Sequence, residues 1–349
     1  METTNHEMYM KRCFELAALG KGNVAPNPMV GAVIVCDGKI IGEGYHQQFG
    51  EAHAEVNAIA SVKDESLLSN STIYVNLEPC AHHGKTPPCA DLIIEKSFQR
   101  VVVCNFDPYK EVAGKGLQRM RDAGIDVVTG VLEAQGRWLN RRFFTYHEQK
   151  RPYVILKWAQ TIDGFLDHNR QPEDDQKALK ITNKAANQLV HRWRSEEMAI
   201  LVGKNTALLD DPSLTTRLWP GKSPLRIVID PQLQLPKTLK LFSDGRPTWV
   251  YNAAKAYCED EICYERISDP SRFEHEIMGH LFHNDIQSII IEGGPNTLQR
   301  FYDAGLWDEA RIFTGMQRIG DGVRIPRFVG ELKSTTHLDD NVLQVYSRA

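Results

Sequence analysis

The sequence predicts an α/β protein of two domains, from its length, its alternating strand and helix patterns, and a break near its middle. The chain has 349 residues, which is too long for one average domain and comfortable for two. Hydrophobic residues make up 42% and charged residues 25%, so each half can bury a core of its own. The polar stretch 147–152 ends in Arg151-Pro152, and a new strand pattern starts at once. We therefore expect domains over 1–149 and 150–349.

In the first half, local patterns predict a helix, a hairpin and then alternating helices and strands. Residues 7–20 place apolar side chains at helical spacing and end on glycine, which is typical of a helix C-terminus. Strands over 29–36 and 39–45 are joined by Asp37-Gly38, a dipeptide typical of tight hairpin turns. Helix and strand patterns then alternate over 53–62, 71–80, 90–97, 100–108, 117–123 and 125–131. This rhythm predicts a layered α/β domain whose later strands are parallel.

The second half repeats the α/β rhythm, and no internal repeat links it to the first. Strands are predicted over 153–159, 199–203, 224–230, 248–252, 288–294 and 309–315, with helices over 182–195 and 296–305. Residues 167–178 are polar and acidic, so we expect an exposed loop there.

The composition argues against several classes of protein. A formal charge of −4 and a sequence pI near 6.3 disfavour a general binder of nucleic acid or membrane surfaces, which needs a positive field. The N-terminal stretch lacks a signal-peptide pattern, and no run of about eighteen apolar residues predicts a membrane span. Seven cysteines, an odd number, do not suggest a disulfide framework. We therefore expect a cytoplasmic protein whose thiolates remain available for metal.

A candidate metal site is formed by His53-Ala54-Glu55 together with Cys80 and Cys89. One imidazole and two thiolates bind zinc and leave its fourth position to water, as a catalytic site requires. Zinc lowers the pKa of that water, so hydroxide can attack an amidine or aminopyrimidine carbon at neutral pH. Glu55, on the first turn of a predicted helix, can pass the proton to departing ammonia without binding the metal. We predict one catalytic zinc ion per chain, with Glu55 as the catalytic residue.

Structural explanations of the same residues stand beside the catalytic one. The His-Ala-Glu sequence is common by chance, and isolated cysteines are more often core residues than ligands. A structural zinc site normally has four protein ligands, whereas the local count here is three ligands and one carboxylate. His82 and His83 could also bind metal, although contact with a substrate suits them better.

The His-Ala-Glu sequence, the segment EPCAHHGKTPPC and the preceding APNPMVGAVIV resemble the deaminase half of the bifunctional riboflavin-biosynthesis deaminase/reductase family. The resemblance extends from residue 7 to about residue 345 and implies a cytidine deaminase-like, three-layer first domain. Most zinc deaminases have a short Pro-Cys-x-x-Cys, whereas the longer gap between Cys80 and Cys89 is typical of the riboflavin branch. The resemblance implies that the deaminase substrate is bound by Asn27, His46, His82 and Lys85. An asparagine suits a pyrimidinone edge and a lysine suits a ribose phosphate.

Five segments of the second half occur in the order and spacing of the family's reductase domain, which has a dihydrofolate reductase-like α/β fold. They are PYVILKWAQTIDG, ITNKAANQLVHRWR, AILVGKNTALLDDPSLTTR, PLRIVID and IIIEGGPNTL. The last brings a carboxylate and a glycine-rich turn to a helix N-terminus, whose N–H groups suit a pyrophosphate. The resemblance implies NADPH binding by Ala159, Thr206, Asp210, Gly294, Pro295, Asn296 and Thr297. It implies reductase substrate binding by Arg194, Leu214, Arg217 and Glu292. Lys157 and Asp163 are further candidates, to orient the ribose or donate a proton.

The chain departs from the family before the first reductase helix. Many members carry Gly-x-Ser-x-Trp-Ile-Thr there, whereas residues 177–182 read Lys-Ala-Leu-Lys-Ile-Thr. Ala178 replaces a serine that touches substrate, and Lys180 replaces a tryptophan that packs on the nucleotide. Lys180 is then a candidate cofactor contact, as a partner for the 2′-phosphate of NADPH.

Together these observations predict a bifunctional enzyme that acts on a small phosphorylated pyrimidine. The first half is expected to deaminate 2,5-diamino-6-ribosylamino-4(3H)-pyrimidinone 5′-phosphate with zinc. The second is expected to reduce the ribosyl group to ribityl with hydride from NADPH. We expect no nucleic-acid or membrane partner, and a homo-oligomer whose size the sequence does not give.

Two other hypotheses remain open from the sequence. One is a zinc nucleoside or tRNA deaminase with an inactive or regulatory C-terminal domain, although the negative charge counts against tRNA. The other is a zinc-stabilised regulatory or interaction protein without activity, in which the metal would hold no exchangeable water.

Overall fold

The chain forms two compact units, Met1–Lys150 and Arg151–Ala349. The computed structural model describes residues 2–81, 87–108, 114–172 and 176–348, and the side chains from residue 5 onward within them. Within these residues, no helix has both the length and the apolar character needed to cross a membrane.

Unit 1 is a layered α/β domain. Its strands are β1 Gly31–Cys36, β2 Lys39–Tyr45, β3 Thr72–Leu77, β4 Arg100–Asn105 and β5 Asp126–Thr129. Its helices are α1 Glu2–Ala18, α2 Ala54–Ala60, α3 Cys89–Glu95, α4 Lys115–Asp122, α5 Glu133–Leu139 and α6 Arg141–Gln149, with a 3-10 helix at Glu65–Asn70. The strands form one sheet in the order β2-β1-β3-β4-β5. The pairs β3–β4 and β4–β5 are parallel, which confirms the predicted parallel strands.

The predicted hairpin joins β1 and β2. Asp37 and Gly38 both have positive φ, at 48° and 76°, as a turn matched to the twist of two antiparallel strands requires. Successive residues of β1 then point to opposite faces. Val33 lies in the core under α1, and Ile34 lies in the core under α2 and α3. Helices on both faces of the sheet give the three layers expected from the resemblance.

Unit 2 is built on a ten-stranded sheet in the order β11-β12-β10-β9-β8-β13-β6-β14-β17-β16. Its strands are β6 Tyr153–Thr161, β7 Phe165–Asp167, β8 Ala199–Gly203, β9 Leu225–Ile229, β10 Thr248–Asn252, β11 Tyr257–Glu259, β12 Ile262–Arg266, β13 Ser288–Ile291, β14 Glu309–Gly315, β15 Val323–Arg324, β16 Glu331–Leu338 and β17 Asn341–Ser347. Its helices are α7 Lys184–Glu196, α8 Lys204–Asp210, α9 Lys240–Ser243, α10 Phe273–His283 and α11 Pro295–Asp303, with a 3-10 helix at Pro270–Arg272.

The centre of this sheet determines where a ligand can bind. The strands β8, β13 and β6 are parallel neighbours, and most of their residues are apolar. Their carboxyl ends therefore open on the same edge, where α8 follows β8 directly and α11 follows β13 after a short turn. In open α/β sheets this edge is the usual place for a binding crevice.

Cysteine usage differs in one place from the sequence-based expectation. Cys258 and Cys263 face each other across the antiparallel pair of β11 and β12 and form a disulfide. This bridge closes one short hairpin and is no framework. Two of the seven cysteines are nevertheless oxidised, whereas the sequence led us to expect reduced cysteines. Cys13, Cys36, Cys80, Cys89 and Cys104 are unbridged.

Candidate functional site

Three potential metal ligands meet in unit 1. His53 is the N-cap residue of α2, Cys80 follows the end of β3, and Cys89 is the first residue of α3. The Nδ1 atom of His53 lies 3.6 Å from Cys80 Sγ and 3.4 Å from Cys89 Sγ. Backbone contacts hold the two cysteines together, because Cys89 N–H donates to Cys80 Sγ over 3.3 Å and Ala90 N–H donates to the Cys80 carbonyl over 3.1 Å.

These residues fit a zinc ion. Zinc at its usual distances of about 2.1 Å to nitrogen and 2.3 Å to sulfur places tetrahedral N and S ligands about 3.6 Å apart. The measured separations of His53 from the two sulfurs agree with that value. All three ligand atoms lie within 4.8 Å of one another, and this is the metal-ligating cluster found among the described residues. Three protein ligands leave one tetrahedral position for water.

The thiols of Cys80 and Cys89 affect each other's ionisation. The hydrogen bond with Cys89 lowers the pKa of the Cys80 thiol to about 4, although burial opposes its ionisation. The same contact raises the pKa of Cys89, and the hydrogen bond with Cys80 raises the pKa of His53. Metal binding requires both sulfurs to be deprotonated.

Glu55 lies on the first turn of α2 and is 3% exposed. Burial, and then the charge of Cys80, raises its pKa to about 7. A carboxyl group with a pKa near neutrality can both accept and release a proton at physiological pH, which is the property of a general acid–base catalyst. The predicted substrate residues His82 and Lys85 lie outside the described residues.

Asn27 and His46 lie beside the ligands. His46 Nδ1 is 3.0 Å from the Ala52 carbonyl and donates to it, so its Nε2 accepts from the Asn27 side-chain amide at 3.1 Å. Burial lowers the pKa of His46, in agreement with a neutral ring. Its ring stands edge-on to that of His53, with centroids 5.5 Å apart. The pairing fixes the direction of the Asn27 amide next to the metal ligands.

The main cavity of unit 2 has a volume of about 740 Å³ and lies at the carboxyl ends of the central strands. It is lined by these residues of the predicted reductase site: Lys157, Ala159, Lys180, Arg194, Thr206, Asp210, Leu214, Glu292, Gly294, Pro295 and Asn296. Thr297 instead lines a second cavity of about 200 Å³. Asp163 and Arg217 line neither of these two cavities.

A buried charge cluster lines this cavity. Arg194 donates to Glu292 Oε2 over 2.7 Å, and Lys157 Nζ lies 3.8 Å from the same oxygen. Burial opposes ionisation of Glu292, but the charges of Arg194 and Lys157 outweigh it and hold the pKa of Glu292 at about 2. Two cations thus share one carboxylate, and the cluster carries a net positive charge.

Unused polar atoms of this cluster point to a bound ligand. Glu292 Oε1 and Arg194 Nε are buried and make no hydrogen bond within the described residues. Both residues line the cavity. Buried polar atoms are nearly always paired in folded proteins, so these two are available to a polar substrate group. The donor set and the cavity volume suit a phosphorylated substrate beside a nucleotide.

The glycine-rich turn after β13 is tightly packed. A Cβ atom on Gly203 would come within 2.3 Å of Thr297 Oγ1, and one on Gly293 within 2.7 Å of Thr297 Cβ. Glycine at both positions lets the first turn of α11 approach the ends of β8 and β13 closely. Backbone N–H groups of that first turn are therefore brought to the cavity edge, where they suit a pyrophosphate.

Asp163 and Arg217, the two predicted residues that line neither cavity, have other hydrogen-bond partners. Asp163 accepts hydrogen bonds from Thr161 and from the backbone of Ile319 and Gly320, and these contacts hold its pKa at about 2. These hydrogen bonds stabilise a turn and leave Asp163 in a structural position. The Arg217 guanidinium donates a hydrogen bond to the Thr215 hydroxyl. The backbone carbonyl of Thr215 accepts a hydrogen bond from Arg194.

Arg170 was not predicted from the sequence to be a site residue. It lies in the stretch predicted to be an exposed loop, yet its side chain is 6% exposed and lines the main cavity. Its guanidinium pairs with Asp167 and Asp210, and Asp167 also accepts from the backbone of Leu179 over 2.8 Å. The prediction of an exposed loop over 167–178 was therefore wrong for Arg170. No spacing signal marks it, because its partner Asp210 is distant in sequence.

Comparison with known proteins gives matches over both units. A family model described as the RibD C-terminal domain matches residues 152–348, and one described as the cytidine and deoxycytidylate deaminase zinc-binding region matches residues 3–105. The riboflavin biosynthesis protein RibD of Aquifex aeolicus is 40% identical over 91% of this chain and 88% of its own length. RibD of Escherichia coli is 36% identical over 91% and 89%.

Solved structures agree with these matches. A Thermotoga maritima protein, described as a diaminohydroxyphosphoribosylaminopyrimidine deaminase/5-amino-6-(5-phosphoribosylamino)uracil reductase, superposes with a TM-score of 0.88 at 35% identity over 100% of both chains. Acinetobacter baumannii RibD superposes with a TM-score of 0.89 at 30% identity over 99% of both chains. The similarity therefore extends over the whole fold as well as the sequence.

Proposed function

This chain belongs to the RibD family of bifunctional riboflavin-biosynthesis deaminase/reductases, and on that premise we propose how its residues divide the two reactions. Members join a zinc-dependent deaminase to an NADPH-dependent reductase. We propose that residues 1–149 deaminate 2,5-diamino-6-ribosylamino-4(3H)-pyrimidinone 5′-phosphate at its 2-amino carbon. Residues 150–349 then reduce the ribosyl side chain to ribityl. The name of the Thermotoga maritima relative supports this choice of substrates.

The convergence of His53, Cys80 and Cys89 on one point beside Glu55 is the observation that carries the deaminase proposal. These three residues would hold the zinc ion. When bound, zinc supplies Lewis acidity that makes water a nucleophile near neutral pH. Glu55 takes the proton of that water and delivers it to the departing amino group, which leaves as ammonia. The raised pKa of Glu55 supports this role, because a carboxylate with the ordinary pKa is a weaker base and would accept the proton of water less readily.

Substrate positioning in the deaminase is assigned to Asn27 and His46, together with the predicted contacts His82 and Lys85. The contact from Asn27 to the neutral His46 ring supports an amide held ready for a pyrimidinone edge. Because His46 is buried and its pKa is lowered, it acts as a neutral hydrogen-bonding group. Lys85 is assigned to the substrate phosphate on the strength of the family pattern.

In the reductase, Arg194 and Glu292 bind the substrate, and Arg217 and Leu214 complete its site. The unpaired Glu292 Oε1 and Arg194 Nε support direct contact with polar groups of the sugar phosphate. Lys157, held near Glu292, orients the ribose. When bound, NADPH supplies the hydride that reduces the sugar C1. Ala159, Lys180, Thr206, Asp210 and residues 294–297 are assigned to the cofactor.

We also propose a cytoplasmic homo-oligomer. NADPH chemistry and reduced ligand thiols both suit the cytoplasm. In β16, every residue except the last is exposed, and the strand lies at the edge of the ten-stranded sheet. Such an edge offers unpaired backbone groups to another strand. Antiparallel pairing with β16 of a second copy, centred between Ser334 and Thr335, would place Lys333 opposite Thr336 and bring no like charges together.

A coupled assay with the diaminopyrimidinone phosphate tests whether the two domains catalyse the two reactions separately. Ammonia release and NADPH oxidation are followed separately on the full chain. We expect both in the native protein, and in Glu55→Gln we expect no ammonia release but continued NADPH oxidation on the deaminated intermediate. Loss of both activities in a folded Glu55→Gln protein would contradict two independent sites. Ammonia release without any NADPH oxidation by the native protein would contradict the reductase.

A further inference from the structure

The second cavity of unit 2 adjoins the main cavity at the glycine-rich turn. The two cavities share Asn205, Thr206 and residues 294–296 in their linings. Glu292 lines the main cavity and not the second one. A dinucleotide whose reactive ring lies beside Glu292 therefore crosses the shared turn with its pyrophosphate and places its other nucleoside in the second cavity.

The second cavity holds one uncompensated positive charge. Arg300 and Glu274 both line it and form an ion pair with each other, so their charges cancel. Lys204, the first residue of α8, also lines it, and its Nζ donates to the neutral Gln234 amide over 2.7 Å. Within the described part of the chain, no carboxylate forms an ion pair with Lys204. An anionic group in this cavity would therefore be attracted chiefly to Lys204.

We propose that Lys204 binds the 2′-phosphate on the adenosine of NADPH and so makes the reductase select NADPH over NADH. This inference rests on the proposed reductase function. A lysine ammonium is a compact charge with three donors, which suits a terminal phosphate. NADH has a hydroxyl at the same position, so it gains nothing from the charge. Lys204 thus acts on cofactor choice and not on hydride transfer.

The cavity linings favour Lys204 over Lys180, the residue that sequence analysis offered for the 2′-phosphate. Lys180 lines the main cavity but not the second one. It lines the same cavity as Lys157, Ala159 and Glu292. Lys180 is therefore near the reactive half of the cofactor, whereas Lys204 is beyond the glycine-rich turn.

Equilibrium binding of the cofactors to the full chain tests the proposal without relying on turnover. NADPH and NADH are titrated by fluorescence against the native protein and against Lys204→Gln, Lys180→Gln and Lys184→Gln. Lys184 is an exposed lysine at the start of α7 and serves as the charge control. We expect Lys204→Gln to raise the Kd for NADPH about tenfold and to change the Kd for NADH less than about twofold. Lys184→Gln should change neither. The fragment 2′,5′-ADP should compete with NADPH on the native protein and about tenfold less well on Lys204→Gln.

Several results would overturn the proposal. Equal weakening of NADPH and NADH binding in Lys204→Gln would show that Lys204 does not discriminate. Selective loss in Lys180→Gln but not in Lys204→Gln would assign the 2′-phosphate to Lys180. Binding of neither cofactor to the native protein would instead remove the proposed reductase site itself. Lys204→Arg keeps the charge and is expected to retain the preference for NADPH. A native-like urea unfolding transition, monitored by tryptophan fluorescence, reports that unit 2 of each variant is folded.

Discussion

Arg194 donates a hydrogen bond to Glu292 over 2.7 Å, and both side chains are nearly buried at 11% and 12% exposure. Lys157 is the other cation at the same carboxylate, and burial lowers its pKa. The cluster therefore depends on one negative charge to hold two positive ones in the interior of unit 2.

Glu292→Gln should destabilise unit 2. The substitution keeps the shape of the side chain but leaves Arg194 and Lys157 without their carboxylate, and breaking a buried ion pair in this way costs about 3 kcal/mol. Urea unfolding monitored by tryptophan fluorescence measures the loss. Glu331→Gln is the control, because it breaks an exposed pair with Lys333 and should cost less than about 0.5 kcal/mol. A similar small loss in both variants would contradict the account of the cluster.

Cys89→Ser should abolish stoichiometric zinc binding, because two protein ligands do not hold zinc tightly against solvent. Metal analysis of the purified protein measures the zinc content, which we expect to fall from one ion per chain to far below one. The matched control is Cys36→Ser, which removes a buried and unbridged thiol outside the site. Full zinc content in Cys89→Ser, or equal loss in Cys36→Ser, would show that the ligands are wrongly assigned. NADPH binding should be unchanged in Cys89→Ser, since the cofactor cavities lie in unit 2.

Glu55 should make the zinc-free protein less stable as the pH rises. Burial raises its pKa from the ordinary 4.5 to about 7, so the folded state binds the proton more tightly than the unfolded state. The stabilising contribution is complete below pH 4.5 and is lost as the pH rises through 7, by about 3 kcal/mol in total. Denaturant unfolding at pH 5 and pH 8 after chelation measures it. In Glu55→Gln this part of the pH dependence should vanish, and an identical pH dependence in both proteins would exclude Glu55 as its source.

Arg170→Ala should weaken NADPH binding while leaving the rate of hydride transfer nearly unchanged. Without the guanidinium, Asp167 and Asp210 become uncompensated on the wall of the main cavity and repel a polyanionic cofactor. We expect the Kd for NADPH to rise about tenfold at low salt, and less at high salt because the repulsion is screened. Arg192→Ala, which removes an exposed arginine paired with Glu196, is the control. An unchanged Kd for NADPH in Arg170→Ala would argue against this role.

The double substitution Ser334→Lys and Thr335→Lys should dissociate the homo-oligomer. Two-fold pairing of β16 would bring these lysines of both copies together at its centre, where like charges repel. Light scattering after size exclusion measures the mass, which we expect to fall to that of one chain. The control Ser243→Lys adds a charge at an exposed position on α9 and should leave the mass unchanged. An unchanged mass in the double variant would locate the interface elsewhere.

The sequence predicted the candidate metal ligands and the central strands because chemistry and burial restrict those residues. Few side chains bind zinc, so His53, Cys80 and Cys89 were recognisable without a structure. Apolar runs such as 199–203 were recognisable as buried parallel strands because burial on both faces restricts their side chains. The turn at Asp37-Gly38 was predictable because positive φ at both positions restricts the residue types.

Other elements left no comparable signal. The strand β16 is polar along nearly its whole length and is held by backbone pairing with β17, so its side chains show no alternation. The disulfide between Cys258 and Cys263 depends on strand register, which the number of cysteines does not reveal. Arg170 and Lys204 acquire their surroundings from segments distant in sequence, and only the folded chain brings their partners together.

The backbone contacts that join Cys80 to Cys89 and Ala90 have a consequence for how such enzymes diversify. They hold the two ends of the intervening segment together at the candidate metal site, because Cys89 and Ala90 both donate to Cys80. Because the predicted substrate contacts His82 and Lys85 belong to this segment and the candidate ligands flank it, substitutions within the segment are expected to change substrate preference before they change zinc binding. The site is therefore arranged so that specificity can evolve separately from catalysis.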